Sequence, residues 1–300
     1  ALRASEEVEM VFYLYVVDSR NHLVGVVSLR HLVTSKSDAK LKDIMDTDVI
    51  SVKTDMDQEE VAKIVAKYDL LAIPVVNEEN KLVGVITVDD IIDVIREENT
   101  EDMMKMVGTS EEDIVSKSTF SSFKIRLPWL FVTFIGGIVA AQVIGFFEEN
   151  LRQVIALVGF IPIIMGMGGI VGNQTATIVV RGIATGRVNV ERFWHFIFKQ
   201  MKTGLLISIT FGILLGAIAQ FVFQEIPNIG ITVCLSIISQ MFIASLIGSM
   251  IPIILKKLNI DPAVSTNPFV SPMLDNIGII TYFFFASSFS LLTIVNSVVG

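Results

Sequence analysis

The chain has 300 residues, 52% of them hydrophobic and 18% charged, with a mean hydropathy of +0.65. Its net charge of −8 is unevenly divided: residues 1–116 hold 12 Lys/Arg against 25 Asp/Glu, and residues 117–300 hold 11 against 6. This describes an integral membrane protein with an acidic soluble part. Nucleic acid is excluded as a partner, because phosphate contact needs the opposite sign.

Cys234 is the only cysteine, so no intrachain disulfide forms and a thiol metal site is not expected. Ala1 to Met10 is charged and lacks the apolar core of a secretory signal. The chain opens without Met, and its natural beginning is expected upstream.

The soluble half is a repeat. Leu14 to Val33 (LYVVDSRNHLVGVVSLRHLV) aligns without a gap on Ile73 to Ile92 (IPVVNEENKLVGVITVDDII), 59 residues later. Each copy predicts strand, polar turn, strand, helix. Val49 to Val52 precedes the second copy. Asp57 then caps a helix over Val61 to Lys67, with Glu60 at the third position after the cap. These residues resemble a tandem CBS-domain pair, an α/β fold, with a partial first domain over 1–45 and a second over 46–96. That family binds adenine nucleotides such as ATP through Gly-x-x-Ser/Thr-x-x-Asp. Gly84, Thr87 and Asp90 fit this pattern, as do Gly25 and Ser28, but His31 replaces the first copy's aspartate. The alternative for Ser28 and Thr87 is a helix-capping hydroxyl.

From Asp89 to Asp113 acidic residues dominate, and Asp90, Asp93, Glu97 and Glu101 share one helical face. Such a row is either a solvated face or a site for hard cations such as Mg²⁺ or Ca²⁺. An acidic connecting helix is expected over 97–126.

Five spans follow: Leu127 to Phe147, beginning at Pro128-Trp129; Val154 to Val180; Thr203 to Gln224; Ile229 to Leu255; and Ala263 to Val295. Ten Lys/Arg lie on one side (Lys117, Lys124, Arg126, Arg181, Arg187, Arg192, Lys199, Lys202, Lys256, Lys257) and only Arg152 on the other. The soluble half therefore faces the cytoplasm and the C-terminus faces out. Span two carries Gly159, Pro162, Gly166, Gly168, Gly169 and Gly172 and then Asn173 and Gln174, so a regular helix throughout is not expected. Its glycines either pack against neighbouring helices or free carbonyls that line a cavity. In span five a single charge, Asp275, stands in a 39-residue run from Pro262. A carboxylate there is unfavourable by about 2.5–3.5 kcal/mol. It faces a watery path or a cation, or else it is protonated or tied to Asn267, Asn276 or a backbone donor.

The order of CBS pair, acidic helix and five spans, with GGIVGNQ in span two and Asp261-Pro-Ala before Asp275 in span five, resembles the MgtE family of magnesium channels. The resemblance implies an α-helical membrane protein of five transmembrane helices with a cytoplasmic CBS pair, homodimeric in the cell membrane. Its pore lies between subunits. The implied pore residues are Asp275, Asp261, Asn267, Gly168, Gly169, Gly172 and Asn173. The implied cytosolic Mg²⁺ ligands are Glu59, Asp69, Asp90, Asp93, Glu98, Glu101 and Asp102. The family's acidic N-terminal domain is absent from this sequence, and Pro272 stands where a small polar residue is expected. The expected function is Mg²⁺ import closed by cytosolic Mg²⁺. A broader divalent transporter and a CBS-regulated anion channel are the alternatives, and the second is disfavoured because the drawn spans hold no Lys or Arg. No Ser-His-Asp set, hydrolase metal motif or phosphate loop points to an enzyme, and His22, His31 and His195 are scattered.

Overall fold

A computed structural model describes residues 12–36, 38–116, 118–148, 151, 154–188, 193–265 and 267–289. It divides into two units, Ala1–Thr100 and Glu101–Gly300.

In the first unit β1 (Tyr13–Val17) pairs antiparallel with β2 (Leu23–Ser28), followed by α1 (Leu29–Thr34) and α2 (Leu41–Ile44). Then come β3 (Val52–Lys53), α3 (Gln58–Tyr68), β4 (Ala72–Val76), β5 (Leu82–Thr87) and α4 (Val88–Met106). The second sheet has the order β3-β4-β5, with β3 parallel and β5 antiparallel to β4. The repeat is reproduced down to its irregularities. Both hairpins shift register at equivalent places, between Val16 and Val17 and between Val75 and Val76. Asp18 Oδ1 accepts from the Arg20 and His22 amides, and Asn77 Oδ1 accepts from those of Glu79 and Lys81. These side chains build the same turn twice. Asn21 and Asn80 each take a positive φ, of 70° and 61°, which asparagine tolerates better than most residues.

The two copies meet through these turns. Leu23 N donates to Asn80 O and Leu82 N to Asn21 O, both at 3.0 Å, and each asparagine side chain donates to the other copy's strand. Val52, Val61, Ala62, Val65, Ile73 and Ile91 form the core of the second copy. Asp57 caps α3 by accepting from Glu59 N, and α3 extends from Gln58 to Tyr68, wider than the expected Val61 to Lys67.

The second unit holds α5 (Glu112–Val115), α6 (Thr119–Phe146), a 3₁₀ turn (Ile155–Phe160), α7 (Ile161–Ala184), α8 (Trp194–Val222), α9 (Ile229–Lys257), a second 3₁₀ turn (Pro262–Ser265) and α10 (Asn267–Ser288). Among the described residues, five of its helices are long and apolar enough to cross a membrane. α9 packs against α8, α7 and α10, and α10 also packs on α7 and α6.

Several expected boundaries are corrected. The acidic segment 97–126 is not one helix: α4 begins at Val88 and ends at Met106, with positive-φ Gly108 just after it, before α5 and α6. Spans one and three begin about two turns earlier than drawn, at Thr119 and Trp194, and Pro128 lies inside α6. Hydropathy marks where a helix enters the apolar slab, whereas a helix of this length extends roughly 40 Å and carries its polar first turns beyond a slab of about 30 Å. Span two is irregular only in its 3₁₀ entry. Ile161–Ala184 is one continuous helix through all its glycines. The glycines cost helix propensity but permit close approach, and packing decides the outcome. Residues 290–300, which include the drawn end of span five at Val295, lie outside the described residues.

The α8–α9 crossing shows the same device. A Cβ built at Gly216 would lie 2.6 Å from Gly230 O, and one built at Gly230 would lie 2.7 Å from Gly216 O. Backbone meets backbone there, so nothing soft can yield. Gly216→Ala is expected to lower the stability of the detergent-solubilised protein by about 1–3 kcal/mol through overpacking. Gly145→Ala, with nothing within 4 Å of the new methyl, should be neutral or slightly stabilising. Equal thermal unfolding midpoints for the two variants would contradict this packing account.

Candidate ion-binding site

Asp275 is half-buried on α10, one turn after Ser271. On α7, Gly169 and Asn173 stand one turn apart and face these two residues. A Cβ built at Gly169 would lie 3.7 Å from both Asp275 Oδ1 and Ser271 Oγ, and Asn173 Nδ2 donates to Ser271 Oγ at 2.7 Å. Because residue 169 has no side chain, the α7 backbone itself faces the carboxylate. The result is an oxygen-rich strip between two apolar helices, suited to a hard cation or its water shell.

Of the other polar groups near Asp275, Asn276 is engaged elsewhere. Asn276 Nδ2 donates to Pro272 O at 2.7 Å and Gly136 O at 3.2 Å, which engages it with backbone carbonyls instead. The side chain of Asn267 lies outside the described residues. Pro272 is buried, and its ring abuts Gly136 of α6, so this departure from the family pattern fills a helix contact.

Gly168 and Gly172 face other neighbours than Gly169 does. A Cβ at Gly168 would run into Gln240 of α9, and one at Gly172 into Leu274 of α10. A Cβ at Gly248 of α9 would likewise run into the Gly172 carbonyl. These glycines bring α7, α9 and α10 together and so set how near the Asp275 strip the α7 backbone comes. Farther along α7, Ile170, Asn173, Gln174, Thr177 and Ile178 line an open hollow.

Asp261 follows α9. Its Oδ1 accepts from Ala263 N at 2.8 Å, and its Oδ2 pairs with Lys105 Nζ at 2.7 Å. Lys105 also pairs with Glu101 at 2.5 Å, so one ammonium bridges two of the expected cation ligands. Burial alone would lower the Lys105 pKa, but hydrogen bonds to Asp261 and Glu101 outweigh it and hold the ammonium well above its ordinary value.

The remaining acidic positions are dispersed. Glu59 pairs with Lys63 one turn on, Asp69 ends α3 in the left-handed region, and Glu98 accepts from Gln58 Nε2 at 2.7 Å. Asp93 is exposed, and Asp102 lies one position after Glu101. Among the described residues no group of three or more His, Cys, Asp or Glu side chains converges on a metal position. At the nucleotide motif Thr87 Oγ1 donates to Asp90 Oδ2 at 3.0 Å, and the space beside Gly84 is open. In the first copy Ser28 caps α1 by accepting from His31 N at 3.1 Å. The hollow there also contains Asp43 and Asp46, whose charge opposes phosphate.

Sequence reasoning missed Ser271, Lys105 and Gln240. Lys105 carried a signal, as one of two cations in the acidic run and four residues after Glu101. Gln240 also carried one, as an amide in the middle of an apolar span. Ser271 carried none.

Fold and site together define a multi-span membrane protein with a CBS-type soluble unit. Residues 161–285 match the family model MgtE, described as "Divalent cation transporter", and residues 41–97 match the CBS domain. A relative named magnesium transporter MgtE from Bacillus subtilis is 37% identical over 285 residues, covering 95% of this chain and 63% of the relative. Another of that name from Thermus thermophilus is 37% identical over 282 residues, covering 93% and 62%. Residues 161–285 thus carry the domain of the MgtE family, and residues 41–97 a CBS domain. It spans about three fifths of the length of these curated relatives. Among solved structures, the soluble part of a magnesium transporter is 49% identical, covering 31% of this chain and 36% of that one at a TM-score of 0.31. The cytosolic domain of the Mg²⁺ channel MgtE in complex with ATP is 47% identical, covering 31% and 38% at 0.30.

The Lys105–Asp261 pair, with side chains 29% and 36% accessible, is expected to couple weakly. A double-mutant cycle of Lys105→Met and Asp261→Asn should give up to about 1 kcal/mol at low salt. The coupling should fade in 1 M salt, where the Debye length is about 3 Å. No coupling at low salt would mean the pair is not formed in the membrane-embedded protein.

Proposed function

We propose that this protein is a homodimeric Mg²⁺ channel of the cell membrane, importing Mg²⁺ along a path on which Asp275 is the ion-binding carboxylate. The observation that carries the reading is the half-buried Asp275 beside Gly169 and Ser271, in a bundle whose described buried residues carry no charge. A charge there is unfavourable unless water or a cation meets it. Mg²⁺ gives up its waters reluctantly and is held by one or two carboxylates, so two Asp275 side chains across a dimer axis suit a hydrated ion. Asn173, Asn267 and the polar hollow on α7 would line the same path, with Asp261 at its cytoplasmic end. Relatives covering most of this chain are named magnesium transporters. A broader divalent specificity is the second reading, because carboxylates discriminate poorly among divalent ions and the matched family model is described by divalent cations.

The soluble unit lies in the cytoplasm, the C-terminus outside, and the acidic residues regulate the path. With the single-subunit positions dispersed, the regulatory ions would sit between subunits, where Asp69, Asp90, Asp93, Glu98, Glu101 and Asp102 meet partner carboxylates. Bridging Mg²⁺ removes their mutual repulsion and draws the soluble parts into a closed state. A ligand shifts such an equilibrium only through its differential affinity for the two states, so several weak sites act together. An adenine nucleotide is assigned to Thr87 and Asp90 of the second copy, with Ser28 serving as a cap in the first.

Asp275→Asn keeps the shape and removes the charge. It should abolish Mg²⁺ uptake into proteoliposomes at unchanged dimer content, and wild-type uptake would sink the assignment. Neutralising Asp90, Asp93 and Glu98 together should weaken closure by cytosolic Mg²⁺ without changing the open-channel current. An unaltered inhibition curve in patches would leave the acidic face as a solvated surface.

A further inference from the structure

Gln240 is wholly buried in the middle of α9 and belongs to none of the pore, metal or nucleotide residues expected from the sequence. Its amide sits between two glycines of different helices. A Cβ at Gly168 of α7 would collide with it, and one at Gly278 of α10 would lie 2.7 Å from its Nε2. Nε2 donates at 2.6 Å to the carbonyl oxygen of Leu274, the residue immediately before Asp275. Its Oε1 is buried and accepts no hydrogen bond from the described residues. An amide matched on only one side is a costly filler for an apolar gap, which a methionine of similar volume would occupy without penalty. The chain keeps the amide where its donor reaches the backbone next to the carboxylate.

We propose that Gln240 is a positioning residue for Asp275. Rotation of α10 about its axis would swing Asp275 away from Gly169. The hydrogen bond to Leu274 O, made from a side chain that two glycines hold in place, opposes that rotation. Gly168 is thereby read as half of the clamp on Gln240, and Gly278 as the other half. Gln240 does not touch the ion. It sets the distance from the α7 backbone to the carboxylate, and hence how well ions of different size are told apart. This rests on Asp275 being the ion-binding carboxylate.

The test uses Gln240→Met, which keeps the volume and loses the donor. In proteoliposomes matched for dimer content, Mg²⁺ uptake should fall up to about ten-fold, the worth of one hydrogen bond. The Mg²⁺-to-Ca²⁺ uptake ratio should fall with it. A merely structural role would reduce both ions equally and leave the ratio unchanged. A second readout is independent of conduction: in a Cys234→Ser background, cysteines placed at positions 169 and 275 should cross-link several-fold more slowly once Gln240→Met is added. If Gln240→Met is not recovered folded, Gly278→Ala displaces the same amide and is read in the same two assays. An unchanged ratio, or unchanged cross-linking, overturns the proposal. Wild-type uptake by Asp275→Asn would overturn the parent reading instead, while the cross-linking rate would still decide whether Gln240 fixes the helix.

Discussion

A lone carboxylate in an apolar helix bundle is the constraint around which the membrane half is arranged. Asp275 stands on α10 with Gly169 opposite it and Ser271 one turn away, where an ionised group is tolerated only beside water or a cation. The basic residues of the five long helices lie towards their ends, as Arg181, Lys256 and Lys257 do, so among the described residues none stands beside it as a built-in counter-ion. The surrounding architecture lets backbone approach that carboxylate. Gly168 and Gly172 draw α7 onto α9 and α10, Gly136 admits Pro272 from α10, and the α8–α9 crossing buttresses α9 from behind. In lipid there is little hydrophobic drive between helices, so this kind of close contact does the holding.

The soluble unit uses a different device. Its two copies are joined by reciprocal hydrogen bonds from equivalent asparagines in equivalent turns, so a 59-residue sequence repeat becomes a pseudo-two-fold pairing. The departures from symmetry are chemical. The second copy keeps Thr87 and Asp90 in contact, whereas the first has His31 after a capping Ser28. The ammonium of Lys105 occupies the space between Glu101 and Asp261, two positions assigned to cations by family resemblance. A divalent ion arriving there has a tethered competitor.

Much of this was legible in the sequence, because the deciding signals were local. The strand–turn–strand–helix unit was written twice, and hydropathy located five spans. Asp275 was conspicuous as the one charge in a long apolar run. What was not legible depended on contacts between distant segments. Gly169, Gly168 and Gly172 look alike in sequence, yet the first faces Asp275 and the other two face α9 and α10. Spans one and three were drawn from Leu127 and Thr203, not from the helix starts at Thr119 and Trp194, because polar turns continue a helix beyond the membrane without leaving a hydropathy signal. The expectation of a broken span two failed because glycine propensity is a weak penalty beside the packing that glycine permits.

The central claim, that a carboxylate-lined path carries a hydrated divalent cation, is tested most directly by flux through the wild-type protein. Purified protein in liposomes would be presented separately with Mg²⁺, Ca²⁺, Co²⁺ and Cl⁻ under one imposed gradient. The account predicts rapid Mg²⁺ entry, slower entry of the other divalent ions and no Cl⁻ flux above protein-free liposomes. Chloride conduction, or divalent entry no faster than in protein-free liposomes, would contradict it.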